Sequence, residues 1–393
     1  MNDNDIVIVA AKRTPHGNMM GGLSALTASD LGAIANKAAI AACELDPSNS
    51  DEVITGCVLQ AGQGQAPGRQ AALKAELPNS VPVTTINKMC GSGMKAVMLG
   101  HDLIKAGSIE VALCGGIESM SQAPYLLPKG RQGYRLGHDK IYDHMFLDGL
   151  EDAYNKEQLM GVFAERTAEK YQFSREAQDE FAMSSLKRAL SAQEQNLFAD
   201  EIAAVTVKTR KGEITINQDE GPDASKLEKI SRLKPAFKKD GSVTAANSSS
   251  ISDGASSLII CSAKKAQQLG LKPLARIAAH ASFAHEPEWF TTAPVQAIKQ
   301  VLENAQWDQS SVDLFEINEA FAVVTMAAMH DLAIPHEKVN VKGGACALGH
   351  PIGASGARII ITLLHALTAG QKGIAALCIG GGEATAIAIE KLA

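Results

Sequence analysis

Two stretches near opposite ends of the chain follow one pattern, and that repeat constrains the fold more than any other feature. Ser92-Gly93 opens a helix-like run from Met94 to Lys105 that Ala106-Gly107 closes. Ser355-Gly356 opens a run from Ala357 to Thr368 that Ala369-Gly370 closes at the same fourteen-residue spacing. A short apolar strand follows each, Val111-Ala112-Leu113-Cys114-Gly115-Gly116 and Ala375-Ala376-Leu377-Cys378-Ile379-Gly380-Gly381. Upstream, residues 51–56 parallel residues 312–317. Strands alternating with helices predict mainly parallel sheets with short crossovers. The duplication predicts an α/β fold of two similar halves.

Between the repeats, roughly Ser119 to Asn247, the sequence changes character. It carries a turn-rich polar segment (129–139), a charged amphipathic helix (175–195) and a Lys-rich run (226–239). Apolar helical residues punctuate it, which argues against a flexible linker. The expected organisation is a first half over 1–118 completed by 248–268, an inserted loop domain over 119–247 lying over a site, and a second half over 269–393.

A net charge of −6 argues against a nucleic-acid partner. No apolar stretch approaches the ~20 residues of a membrane span. The N-terminus, acidic and then strand-like, resembles neither a secretory signal nor a transit peptide. Seven cysteines without paired spacing fit a reducing compartment, so a cytoplasmic protein is expected. With no CxxC pair and no HExxH helix, no metal is expected.

Cys90 is the best candidate nucleophile. It lies in Asn87-Lys88-Met89-Cys90-Gly91-Ser92-Gly93, between a strand-like run and a helical one. A thiol on the first turn of a helix would face free backbone N–H groups that favour the thiolate. Gly91-Ser92-Gly93-Met94-Lys95-Ala96 also matches a dinucleotide fingerprint, but Glu110 precedes the next strand instead of ending it, against the geometry a ribose needs. His350, among glycines in Gly343-Gly344-Ala345-Cys346-Ala347-Leu348-Gly349-His350-Pro351, precedes the second Ser-Gly pair as Cys90 precedes the first. Halves that meet face to face would bring the two together, where an imidazole serves as base or oxyanion donor. Cys378 ends a strand before Gly380-Gly381-Gly382, where open α/β sheets place their sites. Cys114 is its counterpart in the first half and reads as structural, while Cys346 is close enough in sequence to His350 to watch. Asn318, after the strand 314–317, is placed to hold a water or donate to an oxyanion; a helix cap is the other reading.

With these pieces assembled the chain resembles the thiolase family, specifically its acetyl-CoA acetyltransferase branch. The resemblance runs from Arg13-Thr14-Pro15 through the Cys90 motif, Gly115-Gly116-Ile117-Glu118-Ser119-Met120-Ser121 and Asn318-Glu319-Ala320-Phe321-Ala322 to the His350 and Cys378 motifs. It implies an α/β fold with a five-layer αβαβα core from two duplicated halves, plus an inserted loop domain that covers coenzyme A. It implies a homotetramer or dimer, the tetramer being expected, that takes acetyl-CoA, CoA and acetoacetyl-CoA, with CoA as substrate and product and no cofactor. By the same resemblance Cys90 is acylated and Cys378 is the acid/base. His350 activates the nucleophile, Asn318 fixes a water in one oxyanion hole, and the amides of Cys90 and Gly380 form the second. Ser249 matches a pantetheine contact, and Phe237, Ala245, Met160, Leu150, Ala320 and Phe321 match walls of the acyl and pantetheine tunnel.

The chain departs from that pattern in places. Gln158-Leu159-Met160-Gly161 stands where relatives commonly carry His-Met-Gly, after an extra residue beyond Leu150. Phe290-Thr291-Thr292 replaces a Met-Gly-rich segment, which makes Thr292 a candidate for altered acyl preference. Alternatives are a thiolase of broader chain length, a decarboxylating ketoacyl synthase, and a non-catalytic acyl-CoA carrier. Cys378 standing in place of a second His disfavours the synthase, and the set Cys90, His350, Cys378 and Asn318 disfavours the carrier.

Overall fold

The duplication reappears in the strand order. The computed structural model describes residues 2–392. The first half supplies β1 (Ile6–Arg13), β2 (Glu52–Gly56), β3 (Val83–Ile86), β4 (Val111–Ser119) and β5 (Ser252–Ser262). The second supplies β6 (Ala275–Ala284), β7 (Leu314–Ile317), β8 (Lys372–Ile379) and β9 (Glu383–Lys391). Hydrogen bonding runs β7-β8-β9-β6-β1-β5-β4-β2-β3. Outward from the centre, β1-β5-β4-β2-β3 is therefore matched by β6-β9-β8-β7, and Val339 makes a parallel bridge to Phe315 at the place of β3. The halves join where Val7 pairs with Arg276 and Ile8 with Ala275.

Pairing is mixed, which corrects the expectation of mainly parallel sheets. Only β2–β3, β2–β4 and β7–β8 are parallel. The β1–β5, β5–β4, β6–β9, β8–β9 and β1–β6 pairs are antiparallel. Antiparallel neighbours need only a tight turn, whereas parallel ones need a crossover. Gly380-Gly381-Gly382 is such a turn, opening the β8–β9 ladder just past Ile379 and Glu383; Gly381 and Gly382 have φ of 95° and 87°. The equivalent β4–β5 ladder ends at Ser119 and Asp253, and there the chain between them makes the whole excursion instead of a turn.

Among the described residues, seven helices of 11 or more residues complete the framework: α1 (Ala28–Cys43), α2 (Ser92–Lys105), α3 (Met160–Tyr171), α4 (Arg175–Glu194), α5 (Ala293–Ala305), α6 (Ala322–Leu332) and α7 (Ile352–Ala366). α1 covers the outer face of the first half-sheet, α2 and α7 fill the space between the half-sheets, and α5 with α6 covers the second. This is a five-layer stack. Alternation along β8 shows why its sequence is apolar throughout: Ala375 and Leu377 face the central helices, while Ile374 and Ala376 face α5. The second copy of the central helix starts at Ile352, earlier than Ser355-Gly356 suggested, because the Pro351 carbonyl already accepts from the Ala354 and Ser355 amides.

The two repeated Ser-Gly pairs meet at the crossing of α2 and α7. A Cβ on Gly356 would lie 2.5 Å from the Met94 backbone nitrogen, and one on Gly93 would lie 2.9 Å from that of Ala357. Only glycine permits this approach. Gly356→Ala is expected to destabilise the fold by about 1–3 kcal/mol despite alanine's better helix propensity, read as a lower denaturant midpoint.

The excursion is anchored by burial. The fully buried Arg13 pairs with Glu201 at 2.7 Å and bidentately with Asp219 at 2.7 and 2.9 Å. These bonds tie the far part of the excursion to the end of β1.

Candidate active site

A cavity of about 530 Å³ opens where the halves and the excursion meet. Cys90, His350, Cys378 and Gly380 all line it. So do Leu150, Met160 and Phe237 from the excursion, Ala245 and Ser249 from its return, and Ala320 and Phe321 before α6. Asn318 does not; its side chain is buried, within reach of His350. The walls are largely apolar. Phe321 sits edge-on to Phe237 and Phe290, with ring centroids 5.8 and 6.4 Å apart, and Gly161 gives Phe237 room, since a Cβ there would fall 2.3 Å from the ring.

Local bonding builds the Cys90 turn. Asn87 Oδ1 accepts from the Met89 amide, and Ser92 Oγ accepts from the Lys88 amide while donating to the Met89 carbonyl. Met89 takes the left-handed conformation (φ 46°), and Lys88 forms an ion pair with Glu383 beyond the triple glycine. A Cβ on Gly91 would strike Ile379, so glycine lets the turn press against the end of β8, the strand that carries Cys378. Cys90 precedes Gly91, the helix N-cap, and is therefore not on the first turn of α2 as expected. Burial pushes its thiol up to about 11, opposed by the Gly380 amide and its own amide, which donate toward the sulfur. The resting group is a thiol. Cys378 is buried and its thiol is raised well above the usual range, by burial and then by the neighbouring Cys90.

His350 is held in one tautomer. Ser355 Oγ donates to the Pro351 carbonyl at 2.9 Å, so at 2.6 Å it accepts from His350 Nδ1–H. The lone pair is left on Nε2. Burial, and then the Arg358 cation, lowers the imidazole to about 3, so the ring is neutral at pH 7 and ready to accept a proton. Asn318 is oriented by the same cation. Arg358 can only donate, so the atom facing it at 3.3 Å is Oδ1, and Nδ2 is presented to His350 Nε2 at 3.4 Å. Arg358 Nη1 also donates to Glu316 at 2.8 Å.

Ser355→Ala is expected to free the ring to adopt the other tautomer and slow acetylation about 10- to 100-fold. Rapid-quench measurement of acetyl incorporation checks it.

Family models for "Thiolase, N-terminal domain" and "Thiolase, C-terminal domain" match residues 6–264 and 271–391. The chain belongs to the thiolase family. It is 48% identical over 391 residues to the acetyl-CoA acetyltransferase of Pseudomonas aeruginosa, covering 98% of this chain and 99% of that one. Among solved structures it is similar to the Acat5 thiolase of Ascaris suum in complex with coenzyme A, with TM-score 0.94 and 42% identity over 99% of this chain and 100% of that one. It is also similar to the acetyl-CoA acetyltransferase of Bacillus anthracis, with TM-score 0.95 and 41% identity over 99% of each chain. The thiolase fold expected from the sequence is thus shown by fold and sequence together.

Several parts of this thiolase site escaped the sequence reading. Arg358, Glu316 and the hydrogen-bonding role of Ser355 were missed; a lone Arg in the apolar run Ala357-Arg358-Ile359-Ile360-Ile361 was the available signal. Glu118, at the end of β4, was part of a quoted motif without a role. Its buried carboxylate accepts from the amides of Val58, Leu59 and Gly353, tying the first half to the start of α7 just after His350, and burial raises it to about 7. Thr292 is corrected: its hydroxyl donates to the Trp289 carbonyl, and the segment presents Phe290 to the cavity in its place. Leu159, next to Met160, puts an apolar side chain on the wall. Cys346 is packed against Glu319, and Cys114 is buried in the core. The basic residues Lys208, Arg210 and Lys211 lie exposed on a hairpin, and Lys238 pairs with Glu169.

Proposed function

We propose that this thiolase joins two acetyl-CoA molecules into acetoacetyl-CoA and CoA, and runs the reverse thiolysis, through an acetyl group carried on Cys90. The observation that carries the reading is two cysteines from opposite halves, Cys90 and Cys378, facing one cavity with a neutral, tautomer-fixed histidine. The relatives named acetyl-CoA acetyltransferase and the neighbour solved with coenzyme A support the substrate class.

In the first step His350 Nε2 takes the Cys90 proton and the sulfur attacks the acetyl carbonyl. The bond from that carbon to the CoA sulfur breaks, and the departing CoA thiolate takes the proton of Cys378, which leaves Cys378 a thiolate and the Cys90 proton on His350 Nε2. One thioester replaces another, so little free energy is needed and the reaction divides into two easier parts. In the second step the Cys378 thiolate removes a proton from the methyl of a second acetyl-CoA. The enolate oxygen is stabilised by His350 and by a water on Asn318 Nδ2. The new carbon attacks the acetyl-Cys90 carbonyl, whose developing charge meets the amides of Cys90 and Gly380, and collapse releases the Cys90 thiolate, which takes its proton back from His350. No cofactor enters this scheme, since CoA is itself substrate and product.

The apolar wall formed by Phe237, Met160, Leu150, Ala245, Ala320 and Phe321 suits the pantetheine arm and acyl group, with Ser249 beside it. The 119–247 excursion forms the cover of that tunnel. A broader acyl range is the second reading, favoured by Leu159 on the wall; relative rates on acetoacetyl-CoA and longer 3-ketoacyl-CoA substrates decide between them. Exposed Tyr125, Leu127, Leu136 and Ile141 in one stretch of the excursion support a homotetramer, with native mass as its test. No helix among the described residues is long and apolar enough to cross a membrane, and the cysteines are unpaired. Both support a cytoplasmic setting.

Intact mass and peptide mapping after mixing with acetyl-CoA test the covalent step. One acetyl group on the Cys90 peptide, discharged by CoA, is the expected result. No adduct on protein that still binds CoA would mean a carrier.

A further inference from the structure

We propose that His101, Asp102 and His280 form a binding site for a borderline divalent transition metal, with Zn²⁺ its best-fitting ion, that clamps α2 to β6. Three ligand atoms converge there. His280 Nε2 lies 2.8 Å from Asp102 Oδ1 and 3.2 Å from His101 Nδ1, and His101 Nδ1 lies 3.1 Å from Asp102 Oδ1. Two ligands of a tetrahedral zinc ion, each about 2.0–2.1 Å from the metal, stand about 3.3 Å apart, so this near-equilateral triangle has the size of one face of such a site.

Without a metal, Asp102 Oδ1 can accept from both ring nitrogens, which brings those nitrogens within 3.2 Å of each other; a metal ion would replace the two ring hydrogens and hold the same three atoms. The rings stand perpendicular, with centroids 4.9 Å apart, so the two nitrogens reach Asp102 Oδ1 in different planes. Two imidazole nitrogens and one carboxylate oxygen are a donor set that suits zinc. The imidazole side chains are 16% exposed and that of Asp102 54%, so a fourth position is open to water. Lys105, one turn further along the helix, donates its amine to the Asn4 carbonyl at 3.1 Å.

The site is separate from the chemistry. His101 lies nine residues into α2, about 14 Å along the axis from the end that follows Cys90. α2 belongs to the first half and β6 to the second, so the ion would join the halves at a point remote from the cavity. Sequence spacing hid the cluster, because His280 lies 179 residues beyond His101.

The test uses the full-length protein stripped with chelator and dialysed against Zn²⁺, with Co²⁺ as a spectroscopic probe. One equivalent of Zn²⁺ at micromolar affinity is expected, with at least tenfold weaker binding in His280→Ala and in the surface variant Asp102→Asn. Zn²⁺ should raise the melting temperature of the unaltered protein and leave that of Asp102→Asn unmoved. Co²⁺ should show tetrahedral bands without thiolate charge transfer. A thiolate band would place the metal on the cysteines, and equal binding by both variants would equally overturn the site. Acetyl transfer by Asp102→Asn should be unchanged, which confirms that the variant is folded.

Discussion

Cys90→Ala is expected to take up no acetyl group from acetyl-CoA and to lose at least about ten-thousand-fold in turnover, because the intermediate has nowhere else to form. The loss is set by geometry as much as by the sulfur. The Cys90 thiol is pushed up to about 11, so the free enzyme holds little thiolate at pH 7 and relies on transfer to His350 Nε2 as the bond to carbon forms. Alanine removes the proton and the nucleophile together while leaving Gly91, Ser92 and the turn's backbone bonds in place. CoA affinity should therefore persist. An acetylated peptide elsewhere, or turnover within tenfold of the unaltered protein, would sink the assignment.

Cys378→Ala should separate the two half-reactions. Acetyl-Cys90 should still form and discharge to CoA, whereas condensation should fall about a hundred- to ten-thousand-fold, the range for losing a positioned base. Exchange of the acetyl-CoA methyl hydrogens with deuterated solvent isolates the step. It should vanish in Cys378→Ala while acetylation of Cys90 continues. Normal condensation by this variant would overturn the two-cysteine scheme, and loss of both half-reactions would mean that Cys378 serves the Cys90 turn structurally.

The residues proposed as reactive are legible because each sits where a strand or turn meets glycine. Cys90 before Gly91, His350 after Gly349 and Cys378 before the triple glycine stand out in any linear reading. Their supports did not. Glu316 and Arg358 are 42 positions apart and meet only because β7 and α7 cross the same core layer. Met160, Phe237 and Leu150 came from the family resemblance alone, since nothing in their local spacing marks a wall. Strand direction was misread for a similar reason. A periodic apolar run fixes that a strand exists, but its sense depends on the connection, and Ser119 rejoins its antiparallel partner Asp253 only after more than a hundred residues.

That long detour has a counterpart in the other half, and the contrast separates two tasks. One half closes its β8–β9 hairpin with three residues, and that three-glycine bend sets the Gly380 amide against the Cys90 sulfur. Its twin leaves the same hairpin open and spends the gap on a folded canopy. In the function proposed above, precision resides where the chain is shortest and recognition where it is longest. The canopy springs from a ladder end, so its length and composition are free to vary without disturbing the register of the strands beneath. A duplicated scaffold of this kind lets substrate preference drift while the carbon–carbon bond-forming centre stays fixed.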